Sequence, residues 1–311
     1  MSKFLQRIFV CAALMAMPFA VNADDYQLPD PGFEDWSGAA FDGKIQPKYW
    51  HASNVEQSAL GMTFRFNFAN RETGRSGYCI MAKDQVVGAA GITETSPSYY
   101  SLGYGWQHLE GLNTGSATAG TKGGYAFTHR PDSVSVWIKR TGNNVDKEDF
   151  HVLFYTWAGT AVGTSYKNKN GGCTSVTVED EESDIRVLMD GNECITKTAG
   201  GQVAEGWWFE KKAYGQWTNL RIPIYYLNDN APKKCNLILS ASNYPNFRAN
   251  DGLYDGNALY VDDVELIYSS KIQTLKIGGK EWKGFDPNST EVQVYSVPEG
   301  TTVIPSIEAF R

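Results

Sequence analysis

The sequence predicts an all-β protein: a jelly-roll β-sandwich with a short β appendage at its C-terminal end. Three observations predict it. Apolar residues recur with period two in many short segments, glycine reaches 31 of 311 residues, and no long stretch carries the 3.6-residue period of an amphipathic helix. Strand–helix alternation is absent too, which points to antiparallel sheets packed face to face. The 42% apolar and 13% aromatic content excludes wholesale disorder. A net charge of −7 argues against a general nucleic-acid binder, which needs a basic face to displace counterions.

Residues 1–23 read as a secretory signal peptide. Lys3 and Arg7 start it, an apolar run from Ile8 to Met17 follows, and Val21-Asn22-Ala23 offers a small-residue cleavage box. The run is too short for a membrane span, which needs about 20 residues. No later segment resembles a span, so an exported protein is expected, periplasmic or at the cell surface. Cys79, Cys173, Cys194 and Cys235 then remain. The sequence leaves open whether they pair, in any of three ways, or stay as buried thiols. A Cys173–Cys194 bridge would close the acidic stretch Glu179-Asp180-Glu181-Glu182. No cysteine or histidine spacing suggests zinc.

The main domain is expected over residues 24–268. Met62 to Ala69 alternates, and so does Ser133 to Arg140, with Val134, Val136 and Ile138 on one face. Phe150 to Trp157 is apolar on both faces except for His151 and Thr156, as a central strand would be. Further strands are predicted at Tyr78 to Ala82, Thr174 to Glu179, Ile185 to Met189, Leu220 to Ile224, Leu237 to Ala241 and Leu259 to Tyr268. Turn clusters separate them, among them Gly123-Gly124, Asp190-Gly191 and Asn228-Asp229-Asn230. Apart from Tyr78 to Ala82, residues 70–128 show no clear strand, which marks either a long functional loop bearing aromatics or strands that the pattern hides. A partial module is expected over residues 269–311, with strands at Ile272 to Ile277, Val292 to Ser296 and Thr302 to Ile304.

The chain opens with Asp30-Pro31-Gly32-Phe33-Glu34-Asp35-Trp36 and closes its main β region with Val261-Asp262-Asp263-Val264-Glu265-Leu266. This pair of motifs resembles the jelly-roll carbohydrate-binding modules. With Arg130 to Trp137 and Trp217 to Tyr225 added, the chain resembles the carbohydrate-metabolism-domain family of exported Bacteroides-type proteins over about residues 28–268. The tail, with Leu275 to Gly279 and Gly284-Phe285-Asp286, resembles the opening of an immunoglobulin-like module. The resemblance implies a glycan-utilisation role. It also implies that Phe33 and Leu266 lie on adjoining strands, which would bring Glu34 close to Asp262. Two carboxylates that close repel unless a proton or cation lies between them. Calcium takes six to eight oxygens, and in the related modules the matching Glu and first Asp hold a structural calcium. Glu34 and Asp262 are therefore the expected calcium ligands.

Catalytic signatures are sparse. There is no GxSxG, HExxH, P-loop or dinucleotide fingerprint, and the four histidines are His51, His108, His129 and His151. A glycosidase needs two flanking carboxylates, for which Glu94, Glu110 and Glu205 are candidates. Aromatics suit binding better, because sugar rings pack their C–H faces on Trp and Tyr. Tyr99, Tyr100, Tyr104 and Trp106 cluster in the Gly/Ser-rich stretch, and Trp207-Trp208 lie in another expected loop. These six are the candidate ligand platform. Trp36, Trp50, Trp137 and Trp217 are assigned to the core or its edge. The leading expectation is a secreted, non-catalytic protein that binds a glycan or oligosaccharide. The alternatives are a polysaccharide-active enzyme using a carboxylate pair, and a cell-envelope interaction or assembly protein.

Overall fold

The computed structural model describes residues 26–59, 62–89, 92–109, 117–158, 164–167, 173–176, 185–189, 201–242, 253–268, 272, 274–286 and 293–310. The protein is all-β, a jelly-roll β-sandwich, with no α-helix among the described residues. The signal-peptide segment 1–23 lies outside them. The chain divides into two compact units, the first ending at Leu266 and the second starting at Ile267.

Two sheets make the sandwich. One has seven strands, ordered Tyr225–Tyr226, Gln202–Glu210, Phe150–Trp157, Lys234–Ser240, Tyr99–Ser101 and His51–Ala52, with Tyr125–Ala126 also pairing to Lys234–Ser240. The other has five, ordered Tyr214–Pro223, Ser133–Thr141, Ala258–Ile267, Tyr78–Lys83 and Asn70–Thr73. Period two sorts the side chains between them. Val134, Val136 and Ile138 are wholly buried from one sheet, and Phe150, Val152 and Phe154 from the other. Burying each such side chain stabilises the fold by roughly 1.5–3 kcal/mol.

The two ends of the first unit meet, but Phe33 lies in a turn before the first strand and not on a strand beside Leu266. Val264 N–H donates to the Pro31 carbonyl at 2.9 Å, and the Gln27 amide bonds both the N–H and the carbonyl of Leu266. Phe33 holds a positive φ of 55° in a turn whose Asp30 carboxylate accepts the N–H groups of Glu34 and Asp35. Its ring is fully buried and packs on Trp50 at 5.0 Å. Trp36 and Trp50 are buried, and their indole N–H groups donate to the Phe33 and Pro29 carbonyls.

Some expectations change. Residues 70–128 are not one loop. They contain Asn70–Thr73, Tyr78–Lys83, Gln85–Ala89, Ile92–Ser96, Tyr99–Ser101, Tyr104–Leu109, Ala117–Lys122 and Tyr125–Ala126. Gln85–Ala89 and Ile92–Ser96 pair only with each other, outside the two large sheets, so they have no buried face to impose alternation. Cys79 and Cys235 are buried free thiols. Burial pushes the Cys79 thiol up to about 12, so it stays protonated at neutral pH. Cys173 begins a strand, its side chain lies outside the described residues, and so does Cys194.

The second unit carries Thr274–Ile277 at the centre of a three-stranded sheet, flanked by Lys280–Glu281 and Ile307–Phe310. The expected strand at Thr302 to Ile304 does not form, and neither does the described part of Val292 to Ser296. The sequence signal there was β-branched composition alone, and all of Val294, Tyr295, Val303 and Ile304 are exposed.

Candidate functional site

The outer face of the seven-stranded sheet is built by cross-strand rows. Trp207 pairs with Leu153, Leu153 with Ile238, Ile238 with Ser101, and Ser101 with His51. A second row runs Phe209, His151, Ser240 and Tyr99, and a third runs Tyr225, Glu205, Tyr155 and Asn236. Residues paired across a sheet point to the same side, so these rows define one surface. Its middle is filled. Tyr99, Tyr155, Trp157 and Ile238 are buried together, with Leu153 and Leu253 packed against them. The Asn236 amide donates to the Tyr155 hydroxyl at 2.9 Å and accepts the N–H groups of Leu102 and Gly103.

Both ends of this face are open. At one, Trp207 (49% exposed) stacks on Phe209 (51%) at 5.0 Å and 19°, and Phe209 stacks on His151 at 5.3 Å and 22°. Phe209 lies between the other two rings, and Trp207 is the exposed end of the stack. Burial first, and the nearby Arg140 charge second, push His151 down to about 4, so it is neutral at physiological pH. Glu205, Gln202 and the exposed Tyr225 lie beside Trp207, and the Gln202 amide donates to the Glu205 carboxylate at 2.7 Å. At the other end, exposed Tyr104 packs on His51 at 3.9 Å. Four strand spacings separate the Trp207 and His51 positions, roughly 19 Å.

The six candidate platform residues therefore divide. Tyr104 and Trp207 are exposed at opposite ends of one face. Tyr99 lies between them and is buried. Tyr100 points the other way, into the core; its buried hydroxyl accepts the Asn70 N–H at 2.6 Å and presents nothing to solvent. Trp208 also faces the core side, opposite Val152, and its buried indole N–H has no partner among the described residues. Trp106 lies on the Tyr104–Leu109 strand, and its side chain is outside the described residues. None of Tyr99, Tyr100, Tyr104, Trp207 or Trp208 is on a loop. The nine-residue strand Gln202–Glu210 was legible as alternation of Val203, Glu205, Trp207 and Phe209, a period that the adjacent Trp207-Trp208 pair masks. The same masking hides Phe209, whereas Tyr225 lies on the separate two-residue strand Tyr225–Tyr226, too short to carry a period. Of the candidate carboxylates, Glu205 lies on this face, while Glu110 and the Glu94 side chain lie outside the described residues.

A second constellation sits at the Gly74–Tyr78 turn. Glu34 accepts the Tyr78 N–H at 3.0 Å, and Asp262 accepts the Arg75 N–H at 2.6 Å. A Cβ at Gly77 would overlap the Glu34 carboxylate, and one at Gly74 would overlap Asp262. The two acids thus cradle one glycine turn from opposite ends. Asp262 is fully buried. Burial lifts its carboxyl above the usual range, while N–H bonds from Arg75, Asp263 and Ser76 pull it back. Asp263 takes a positive φ of 44° and pairs with the Arg75 guanidinium. No group of three or more His, Cys, Asp or Glu converges as a metal site among the described residues. A calcium ion here would draw on these two carboxylates, which already accept N–H groups of the turn, and on further oxygens.

No family model matches the chain, and no curated protein matches it. Among solved structures, it is similar to two provisionally assigned glycoside hydrolases. One, from Bacteroides thetaiotaomicron, is 18% identical, with TM-score 0.44, 77% of this chain covered and 71% of that one. The other, from Bacteroides vulgatus, is 14% identical, with TM-score 0.43, covering 76% and 96%. A family 11 carbohydrate-binding module from Clostridium thermocellum, solved with a mixed-linked tetrasaccharide, is 10% identical, with TM-score 0.29, covering 78% and 95%. These values are too low to carry a function across. No described helix is long and apolar enough to cross a membrane.

Proposed function

We propose that this is an exported, non-catalytic glycan-binding protein that holds neutral sugars on the Trp207 end of the seven-stranded sheet. The observation that supports it is the Trp207–Phe209–His151 stack. It fixes an indole by ring packing and leaves it half exposed for a sugar ring. Gln202, Glu205 and Tyr225 supply hydroxyl partners beside it. Glu205 and the net charge of −7 disfavour uronates and sulfated sugars. Tyr104, roughly 19 Å across the sheet, offers a second contact for a longer chain. Affinity electrophoresis in neutral polysaccharide gels tests this reading. Retardation that Trp207→Ala removes is expected; equal retardation of both proteins would reject Trp207, and no retardation in any neutral glycan would reject the function.

Calcium at Glu34 and Asp262 is part of the same proposal, as a structural ion bracing the turn. Arg75, already paired with Asp263, is the cation it must coexist with. Melting in millimolar calcium against chelator should show a higher temperature with calcium, and Glu34→Gln should abolish the difference. Identical melting curves would remove the ion.

A further inference from the structure

Asp84 and Glu148 form a buried pair that the proposed glycan site does not use. Asp84 follows the Tyr78–Lys83 strand and is fully buried; Glu148 precedes Phe150–Trp157 and is 1% exposed. One oxygen of each is satisfied. Asp84 Oδ1 accepts the Ser98 N–H at 2.8 Å, and Glu148 Oε2 accepts from the Asn257 amide at 2.6 Å. Asp84 Oδ2 and Glu148 Oε1 are buried and unpartnered among the described residues. Asn257 sets the two acids side by side: its carbonyl accepts the Asp84 N–H at 3.0 Å and its side-chain amide donates to Glu148. As two carboxylates they are both acceptors, and neither can satisfy the other. One proton makes them partners.

Charge leads to the same answer. Arg140 is the buried cation nearby, and its terminal nitrogens donate to carbonyls of Val145, Glu148, Glu210, Lys212 and Ala241 rather than to either carboxylate. One guanidinium against two carboxylates leaves an excess negative charge away from water, which is costly. Other charged or titratable groups facing the pair or Arg140, among the described residues, are Asp149 and Glu210, which add negative charge, and the neutral His151. Lys147 lies over the Tyr254 ring. Burial, and then the neighbouring Glu148 charge, hold Asp84 well above the carboxylate range; burial pushes Glu148 up to about 7.

We propose that Asp84 and Glu148 share a proton at neutral pH, forming a latch between the chain after Tyr78–Lys83 and the segment leading into Phe150–Trp157. Ser98 and Asn257 bring the starts of two more strands onto it. Asp84 also exchanges backbone bonds with Asn257 and Gly256. The latch makes this end of the sandwich pH-sensitive.

The sign follows from proton linkage. The folded pair keeps a proton that the unfolded chain has already released above the ordinary carboxylate range. Stability from the pair is therefore full at low pH and is lost as pH rises through about 7. His151 acts oppositely between about 4 and 6.5. The informative quantity is thus the difference between Glu148→Gln and wild type, both in chelator-containing buffer. Their melting temperatures should be similar at pH 5 and diverge up to pH 8.5, where the variant should be the more stable. The unfolding constant of wild type should gain up to about tenfold per pH unit relative to the variant. A constant difference across that range would overturn the latch. If Glu148→Gln does not fold, infrared spectra of wild type decide. A buried protonated-carboxyl band at pH 6 that weakens by pH 8.5 is expected, and its absence at pH 6 would overturn the proposal.

Discussion

Both outer faces of the sandwich are rich in aromatics, yet they use them differently. On the five-stranded sheet the rings are covered by cations. Arg75 sits 3.6 Å over Trp137, and Lys139 lies 4.1 Å over Tyr260 and 5.3 Å over Trp217. On the seven-stranded sheet the rings stack on one another, and the end ring, Trp207, is half exposed. Aromatic content alone therefore does not locate a sugar platform. What matters is whether the face of the ring is already occupied by the protein's own charges.

The largest effect that sharpens this contrast is expected for Trp207→Ala. Glycan affinity should drop at least about tenfold, with stability within about 0.5 kcal/mol of wild type, measured by calorimetry and melting. Trp137→Ala on the opposite sheet should leave affinity unchanged; parallel losses in the two variants would erase the distinction between the faces. Arg75→Ala comes next. It removes a cation–π contact and the partly exposed Asp263 pair, for an expected stability loss of about 1–2 kcal/mol by denaturant titration, and no change in binding. Lys139→Gln should cost less, about 0.5–1 kcal/mol. The smallest expected effect is none. Because His151 stays neutral above about pH 5, affinity should be flat from pH 6 to 8. Its contribution to stability is full above the ordinary histidine value of about 6.5 and falls as pH drops towards 4. A binding curve that titrates near pH 6.5 would mean the stack carries a charged imidazole.

Strand positions in the sandwich were legible where one face is buried. Ser133–Thr141 matched its alternation because a core on one side forces it, and Phe150–Trp157, apolar on both faces, is covered on both as a central strand. The short hairpins between 85 and 96 were not legible, since they lack that core. The platform was legible in residue type but not in arrangement. Adjacent tyrosines or tryptophans on a strand point to opposite faces, which sends Tyr100 and Trp208 away from the site while Trp207 stays. The Asp84–Glu148 contact was not legible at all, because it joins residues 64 positions apart through topology rather than any local pattern.

The positive φ at Asp263 interrupts the last sandwich strand. Before it, Leu259 and Val261 point inward; after it, Val264 and Leu266 do. Between them the count skips one residue, as at a bulge. Removing a single aspartate here would take out the bulge and join the two halves in one regular alternation, with Val264 and Leu266 still inward. The doubled acid is thus the extra residue of the bulge, which lets neighbouring carboxylates reach the Arg75 N–H and the Arg75 guanidinium while the strand keeps its inward face.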